Sequence, residues 1–171
     1  MTDKHEYIEI ARKAIRKYVN DGQKIDLDGE INPELKEEAG VFVSLKKKGQ
    51  LRGCIGTIQP TQDNLGREII NNAISAATRD PRFNPVRAEE IDELDISVDV
   101  MGEPEKIDNP QQLDTQKFGV IVKEGQRSGL LLPNLEGIDA IEEQIDIARR
   151  KAGIGRNEDI ELYRFRVQRY E

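Results

Sequence analysis

The first stretch of the chain repeats its apolar positions with the period of an α-helix. Apolar residues recur there at steps of three and four positions, at Tyr7, Ala11, Ala14, Ile15 and Tyr18, which is the spacing of one face of an amphipathic helix. A polar loop follows, and Asn32 and Pro33 then supply a cap and a first-turn proline for a short helix that ends at Gly40. The pattern therefore predicts a long helix, a loop and a short helix before the first strand.

Between positions 41 and 58 the period changes to two, which is typical of β-strands. Lys47-Lys48-Gly49 suits a three-residue turn with glycine in the left-handed conformation, and this turn pairs Leu45 with Leu51. We therefore predict a hairpin with one apolar face. Its opposite, more polar face would carry Phe42, Ser44, Lys46, Arg52, Cys54 and Gly56.

The rest of the chain predicts further helices and strands. A second helix, capped by Thr61 and ended by Asp80-Pro81, presents the apolar stripe Leu65, Ile69, Ala73, Ile74 and Ala77. The strand from Leu94 to Met101 alternates cleanly, which places one face on a core and leaves Asp95, Ser97 and Asp99 in water. The remaining predicted elements are a hairpin (118–123 and 128–132), a helix (139–152) that stops at Gly153, and a last strand (163–168).

Two segments resemble each other within the chain. Gly40-Val41-Phe42-Val43, followed by Gly49-Gln50, Gly53 and a helix, is echoed by Gly119-Val120-Ile121-Val122, Gly125-Gln126, Gly129 and a helix. Two hairpin-helix units would explain this similarity, although glycine-rich turns also look alike by chance. Leu130 takes the place of Cys54 in the second segment, so chemistry at the cysteine would not be duplicated.

Composition restricts the chemistry that the chain can perform. The 171 residues include one cysteine, one histidine and no tryptophan, which excludes an intramolecular disulfide and a four-ligand zinc site built from cysteine and histidine. The sequence shows neither a membrane span nor the apolar core of a secretion signal, so we expect a cytoplasmic protein. The net charge of −7 argues against a dedicated nucleic-acid-binding domain. No phosphate-binding loop, dinucleotide fingerprint or metal-ligand spacing predicts a cofactor or a metal.

The most unusual local sequence is Leu51-Arg52-Gly53-Cys54-Ile55-Gly56. Glycine weakens a strand interior, and the usual reasons for its presence there are a bulge, a closely packed backbone or a ligand that approaches closely. Arg52 and Cys54 would lie about 6.6 to 6.8 Å apart on one strand face, where the guanidinium can favour the nucleophilic thiolate. The alternative is that Cys54 is a small buried packing residue. His5, the one histidine, is expected to be a solvated surface residue, so it offers Cys54 no base.

A second candidate is the loop Arg79-Asp80-Pro81-Arg82-Phe83. Two arginines at this spacing can hold a carboxylate or a phosphate through bidentate hydrogen bonds. Alternatively, Arg79 pairs with Asp80 or with a helix end, and Arg82 is a solvated loop residue. The candidate catalytic residue is Cys54, and the candidate binding residues are Arg52, Gly53, Cys54, Gly56, Thr57, Arg79, Asp80 and Arg82.

These motifs resemble the AMMECR family, named for the Alport syndrome, midface hypoplasia and elliptocytosis chromosomal region. Ile96-Ser97-Val98 and Gly129-Leu130-Leu131-Leu132-Pro133 resemble later blocks of the family in the same order. The resemblance implies one α+β domain over residues 1–171, with a larger lobe of mostly antiparallel sheet and helices, a smaller lobe, and the cysteine motif near a cleft between them. It implies no established reaction, and it suggests Memo-type and radical S-adenosylmethionine proteins as partners.

Three classes of function remain open. The first is a protein that binds an anionic small molecule or a partner segment near Arg52, Cys54, Arg79 and Arg82. The second is an enzyme in which Cys54, activated by Arg52, attacks an electrophile. The third is a nucleic-acid-associated factor, which requires one continuous patch formed by Arg79, Arg82, Arg164, Arg166 and Arg169. We favour the first because it needs no general base.

Overall fold

The structure, a computed structural model, describes residues 4–27 and 32–171, which form three α-helices and eight β-strands. The helices are α1 (Lys4–Asp21), α2 (Leu65–Thr78) and α3 (Ile141–Ala152). The strands are β1 (Val41–Lys47), β2 (Gln50–Gly56), β3 (Leu94–Met101), β4 (Glu105–Ile107), β5 (Gly119–Glu124), β6 (Arg127–Leu131), β7 (Glu161–Phe165) and β8 (Val167–Tyr170). Short 3-10 helices cover Pro33–Lys36, Ala88–Glu93 and Pro110–Gln112. The α+β fold with antiparallel strand pairs confirms the predicted fold class.

The chain divides into two compact units, of which the first contains the cysteine motif. This unit comprises the chain up to Met101 together with Gln168–Glu171. Its sheet has the strand order β2-β1-β3-β8. The core forms where the apolar stripes of α1 and α2 cover the sheet face that carries Val41, Val43, Leu45, Ile96 and Val98. The opposite face of this sheet, which we call the outer face, carries Ser44, Cys54 and Ser97.

The second unit comprises Gly102–Val167 and has its own core. Its sheet has the strand order β4-β7-β5-β6. The core includes Val120, Val122, Leu131, Ile145, Ala148 and Leu162. Gly153 ends α3 in the left-handed conformation, as predicted. No helix among the described residues is long and apolar enough to span a membrane.

The two similar segments fold with the same connectivity. In each one a hairpin is followed by a helix and then by a strand that pairs with the first strand of the hairpin, giving β1-β2-α2-β3 and β5-β6-α3-β7. A Cβ atom at Gly53 would overlap the carbonyl oxygen of Ala76 on α2, and a Cβ atom at Gly129 would overlap that of Ala148 on α3. In both places glycine lets a helix backbone lie directly on a strand.

The first hairpin differs from the predicted register. Its turn contains two residues, Lys48 and Gly49, both with positive φ (52° and 78°) as in a type I′ turn. A β-bulge follows, because Leu45 lies opposite Gly53 whereas Lys46 lies opposite Leu51, which leaves Arg52 without a cross-strand partner. The predicted pairing of Leu45 with Leu51 is therefore wrong. The bulge changes the direction of the Arg52 side chain.

The last predicted strand is also interrupted. Residues on either side of Arg166 belong to two strands in two different sheets, β7 beside β5 and β8 beside β3. The alternation of Tyr163, Phe165 and Val167 continues through the break, so periodicity alone cannot reveal it. The backbone carbonyl oxygen of Arg166 accepts a hydrogen bond from the backbone N–H of Gly102 (2.7 Å) at this point.

We predict that alanine at either sheet glycine destabilises the protein. Gly53→Ala and Gly129→Ala force a methyl group against a helix carbonyl, and such overpacking costs about 1–3 kcal/mol. Urea unfolding followed by circular dichroism measures the loss. Gly155→Ala is the matched control, because the nearest atom to its Cβ, Glu158 Oε2, is 3.4 Å away; a change there as large as at Gly53 would contradict the packing argument.

Candidate functional site

Cys54 lies on β2, the edge strand of the first sheet, directly opposite Ser44 of β1. The Cys54 Sγ and Ser44 Oγ atoms are 3.2 Å apart, within hydrogen-bond distance for sulfur. The backbone N–H of Cys54 points away from β1, so the two residues form a non-hydrogen-bonded pair, in which facing side chains lie close together. Because Gly53 faces α2, the thiol of Cys54 lies on the outer face, where it is partly exposed.

A buried carboxylate closes the open edge of β2 at this position. Asp80 Oδ2 accepts a hydrogen bond from the backbone N–H of Cys54 (3.0 Å), and Oδ1 accepts one from the backbone N–H of Arg82 (3.1 Å). The Arg82 side chain also donates to this carboxylate, from Nε to Oδ1 (3.0 Å) and from Nη2 to Oδ2 (2.8 Å). The Arg82 side chain, followed by the two backbone N–H groups, holds the pKa of Asp80 well below its usual range. Asp80 therefore stays ionised while it is buried.

The Arg82 guanidinium is bound to Asp80 on one side and is exposed to solvent on the other. Its side chain is 56% exposed, although that of its partner Asp80 is only 2% exposed. Nη2 also lies 3.4 Å from the carbonyl oxygen of Cys54, whereas Nη1 makes no hydrogen bond within the described chain. The guanidinium thus presents free N–H donors to solvent beside Cys54.

A second arginine, which the sequence named only for the nucleic-acid hypothesis, is held in the same way. Arg169 on β8 donates from Nε and Nη2 to the Asp99 carboxylate on β3, at 2.7 and 2.8 Å. The Asp99 side chain is 2% exposed and that of Arg169 is 55% exposed. Asp99 lies on the outer face as predicted, but the expectation that it is in water is wrong, because Arg169 covers it. No local motif links these two residues, which are 70 positions apart.

Cys54 and Ser44 lie between the two arginines. Arg82 contacts the backbone of the edge strand β2, whereas Arg169 is bound to β3, and β1 with Ser44 runs between these strands. Hydrogen bonds from Asp80 and Asp99 are the main causes that raise the pKa of Arg82 and of Arg169.

Arg52 has other partners than the thiol. Its Nε and Nη2 donate to the two carboxylate oxygens of Glu90, at 3.2 and 3.1 Å, and its Nη1 and Nη2 donate to the carbonyl oxygens of Asn84 (2.8 Å) and Pro85 (3.3 Å). Lys47 donates to the same carboxylate. Arg52 therefore joins the bulge of β2 to the loop and 3-10 helix that precede β3, and this arrangement gives no support to its predicted role as the activator of Cys54.

The remaining candidates lie close by and contact protein groups. A Cβ atom at Gly56 would overlap the Phe42 ring, so this glycine makes room for an aromatic side chain. Thr57 Oγ1 accepts a hydrogen bond from Asn72 Nδ2 (3.1 Å). Arg79 is exposed at the end of α2, and Asp80 pairs with Arg82 instead of Arg79. The side chain of His5 lies outside the described residues.

A cavity of about 520 Å³ has Ser44, the cross-strand neighbour of Cys54, in its lining. We call it the Ser44–Ser97 cavity, because these two serines face each other across β1 and β3 in its lining. Its other lining residues are Ile8, Arg12, Lys46, Leu51, Asp95, Ile96, Arg169 and Glu171. The volume falls within the range of about 300–1,000 Å³ that is typical of small-molecule sites. Arg169 and Ser44 connect this cavity to the surroundings of Cys54.

The Glu90 carboxylate makes a testable contribution to stability at acidic pH. Hydrogen bonds from Arg52, the Arg87 backbone and Lys47 lower the pKa of Glu90 from 4.5 to about 2. Its folded-state pKa is depressed, so its stabilising effect is complete above the unfolded value and is lost as the pH falls through the folded value. We predict that Glu90→Gln is less stable than the wild type at pH 7 and that this difference shrinks between about pH 4.5 and 2. Urea unfolding across this range measures it, and a constant difference would contradict the assignment.

The Asp80 carboxylate should protect the Cys54 amide from hydrogen exchange. Hydrogen bonds to charged groups contribute about 1.5–3 kcal/mol, so we predict that Asp80→Asn speeds exchange of this amide by about ten-fold or more. Nuclear magnetic resonance measures the rate. Asp92→Asn is the control, because Asp92 pairs with Arg16 while its side chain is 83% exposed. Equal rates in the wild type and Asp80→Asn would show that Asp80 does not hold the edge strand.

The chain is similar to proteins from bacteria and archaea. The AMMECR1 family model matches residues 8–170. A protein of Thermotoga maritima is 49% identical over the whole of both chains, and one of Clostridium acetobutylicum is 46% identical over 99% of this chain but only 36% of its own length. The crystal structure of an uncharacterized protein from Pyrococcus horikoshii matches with a TM-score of 0.86 and 36% identity, covering 96% of this chain and 88% of that one. The chain belongs to the AMMECR1 family.

Proposed function

We propose that the outer face around Cys54 binds a small molecule that carries a carboxylate or phosphate group, through Arg82 and Arg169. The observation that carries this proposal is that each exposed guanidinium is bound at one end to a buried aspartate. Ordinary surface pairs in this protein differ, since in the Arg16–Asp92 pair the carboxylate is even more exposed than the guanidinium.

The burial of the two carboxylates gives the arginines a fixed direction. Taking a carboxylate out of water carries a desolvation cost of several kcal/mol unless hydrogen bonds compensate for it, and here two bonds from one guanidinium contribute. Both arginines use Nε and Nη2 for the aspartate. The Nη1 groups are left free within the described chain. Each pair is close to neutral as a whole, but it presents oriented N–H donors that need little further ordering when an anion binds.

The cysteine provides a second candidate function. Cys54 lies between the two arginines and is partly exposed, which also suits an enzyme whose thiol attacks an anionic electrophile. The nucleic-acid hypothesis receives less support, because the chain has a net charge of −7 and Arg164, one of the five arginines of that patch, is paired with Glu105.

Anion titration tests the binding proposal. We predict that adipate or inorganic phosphate, added at constant ionic strength, causes saturable chemical-shift changes at the amides of Cys54 and Ser44. Arg82→Gln and Arg169→Gln should each weaken binding by about ten-fold or more, since a charged hydrogen bond contributes about 1.5–3 kcal/mol.

The control for this titration is Arg16→Gln, which removes a guanidinium of similar exposure that has an exposed partner. It should bind the probes like the wild type. Shifts that do not saturate, or that respond equally to all three substitutions, would show that the two arginines form no specific site.

A further inference from the structure

The Ser44–Ser97 cavity gives the proposed ligand a second chemical requirement. Ser44 lies opposite Ser97, and Lys46 lies opposite Asp95, on the outer face of β1 and β3. The small serines leave a hollow between longer side chains, among them Leu51, which is 41% exposed. The lining therefore combines a polar part, the two serines, with an apolar wall that includes Leu51.

The charges around this cavity have both signs. The Arg12 guanidinium donates hydrogen bonds to the carbonyl oxygens of Ile91 (2.6 Å) and Leu94 (2.9 Å). Arg169 donates its hydrogen bonds to the Asp99 carboxylate. In contrast, Asp95 is exposed and makes no ion pair or hydrogen bond with another described residue. Glu171, also in the lining, is exposed and likewise makes no ion pair. Lys46 lies across the strands from Asp95, but their charged atoms are not within ion-pair distance.

The spacing of these groups sets the length of the ligand. Asp95 and Asp99, the aspartate that holds Arg169, are four residues apart on β3, which corresponds to about 13 Å. Glu171 is two positions from Arg169, or about 7 Å at most in an extended chain. The apolar residues Ile8 and Leu51 line the cavity together with these charges.

We infer that the ligand carries a protonated amine as well as an anionic group, joined by a short aliphatic chain. The anionic group binds Arg169, the chain lies against the apolar wall, and the amine is placed by Asp95. This inference rests on the proposed function, because it uses Arg169 as the anion-binding group. It narrows the ligand to the class of ω-amino acids and molecules with the same two ends.

Three probes with one carbon skeleton test the inference: adipate, ε-aminocaproate and hexamethylenediamine. Adipate carries two negative charges, ε-aminocaproate carries one negative and one positive charge, and hexamethylenediamine carries two positive charges. We predict that ε-aminocaproate binds at least ten-fold more tightly than adipate, and that hexamethylenediamine binds most weakly. Amide shifts of Ser44 and Ser97 measure all three. Asp95→Asn should remove most of the preference for ε-aminocaproate over adipate, whereas Glu89→Gln, an exposed acidic residue outside the cavity lining, should keep it.

The outcomes separate this inference from the proposed function. If adipate binds as tightly as ε-aminocaproate and Asp95→Asn changes neither affinity, the amine requirement is wrong and the anion site stands. If neither adipate nor ε-aminocaproate binds, both proposals fail. Preferential binding of hexamethylenediamine would also overturn both, because it would show a cation site. Circular dichroism of Asp95→Asn verifies folding, and exposure of this side chain leads us to expect an intact fold.

Discussion

The candidate site depends on one ionised carboxylate, that of Asp80, held out of water at the open edge of a sheet. An edge strand leaves backbone N–H and C=O groups unpaired. At Cys54 both groups have partners in the loop after α2. The backbone N–H donates to the Asp80 carboxylate, and the backbone carbonyl oxygen lies within hydrogen-bond distance of Arg82 Nη2. Asp80 also accepts the N–H of Arg82 two residues later, which closes the loop on itself as an Asx-turn. One carboxylate thus fixes the strand, the loop and the direction of a guanidinium.

The glycines of the cysteine motif follow from packing on the two sides of β2. Gly53 lets the backbone of α2 approach, and Gly56 lies under the Phe42 ring. Between them, the Cys54 side chain shares the outer face with Ser44. The same arrangement of glycine against a helix carbonyl recurs at Gly129 without a cysteine. The glycines therefore belong to the architecture of the hairpin-helix segment, whereas Cys54, Asp80 and Arg82 lie in the first of the two segments.

Periodicity was sufficient to predict most of the elements. The alternation of β3 and the apolar stripes of α1 and α2 appear in the structure because each has one buried face. Periodicity failed where the backbone departs from a regular repeat. The bulge at Arg52 shifts the hairpin register by one residue on one strand, and this shift turns Arg52 toward Glu90. The break at Arg166 likewise leaves the alternation unchanged while moving the chain to another sheet.

The part of the site that the sequence did not predict depends on contacts between residues far apart in the chain. Arg82 and Asp80 are two residues apart, so their motif was visible. Arg169 joins Asp99 only because β8 is placed beside β3, and no spacing in the sequence encodes this contact. The burial of Asp99 was missed for the same reason, since the strand pattern alone places it in water.

Two alkylating reagents that differ in charge test whether an anion-binding site lies beside Cys54. Iodoacetate is an anion and iodoacetamide is neutral, and both form a thioether at Cys54 with release of iodide. If the two arginines attract anions to this face, the rate ratio of iodoacetate to iodoacetamide will exceed that of N-acetylcysteine, and it will fall toward the reference value in Arg82→Gln and in Arg169→Gln. A wild-type ratio at or below the reference, or a folded protein that reacts with neither reagent, would contradict an open anion-binding site beside Cys54.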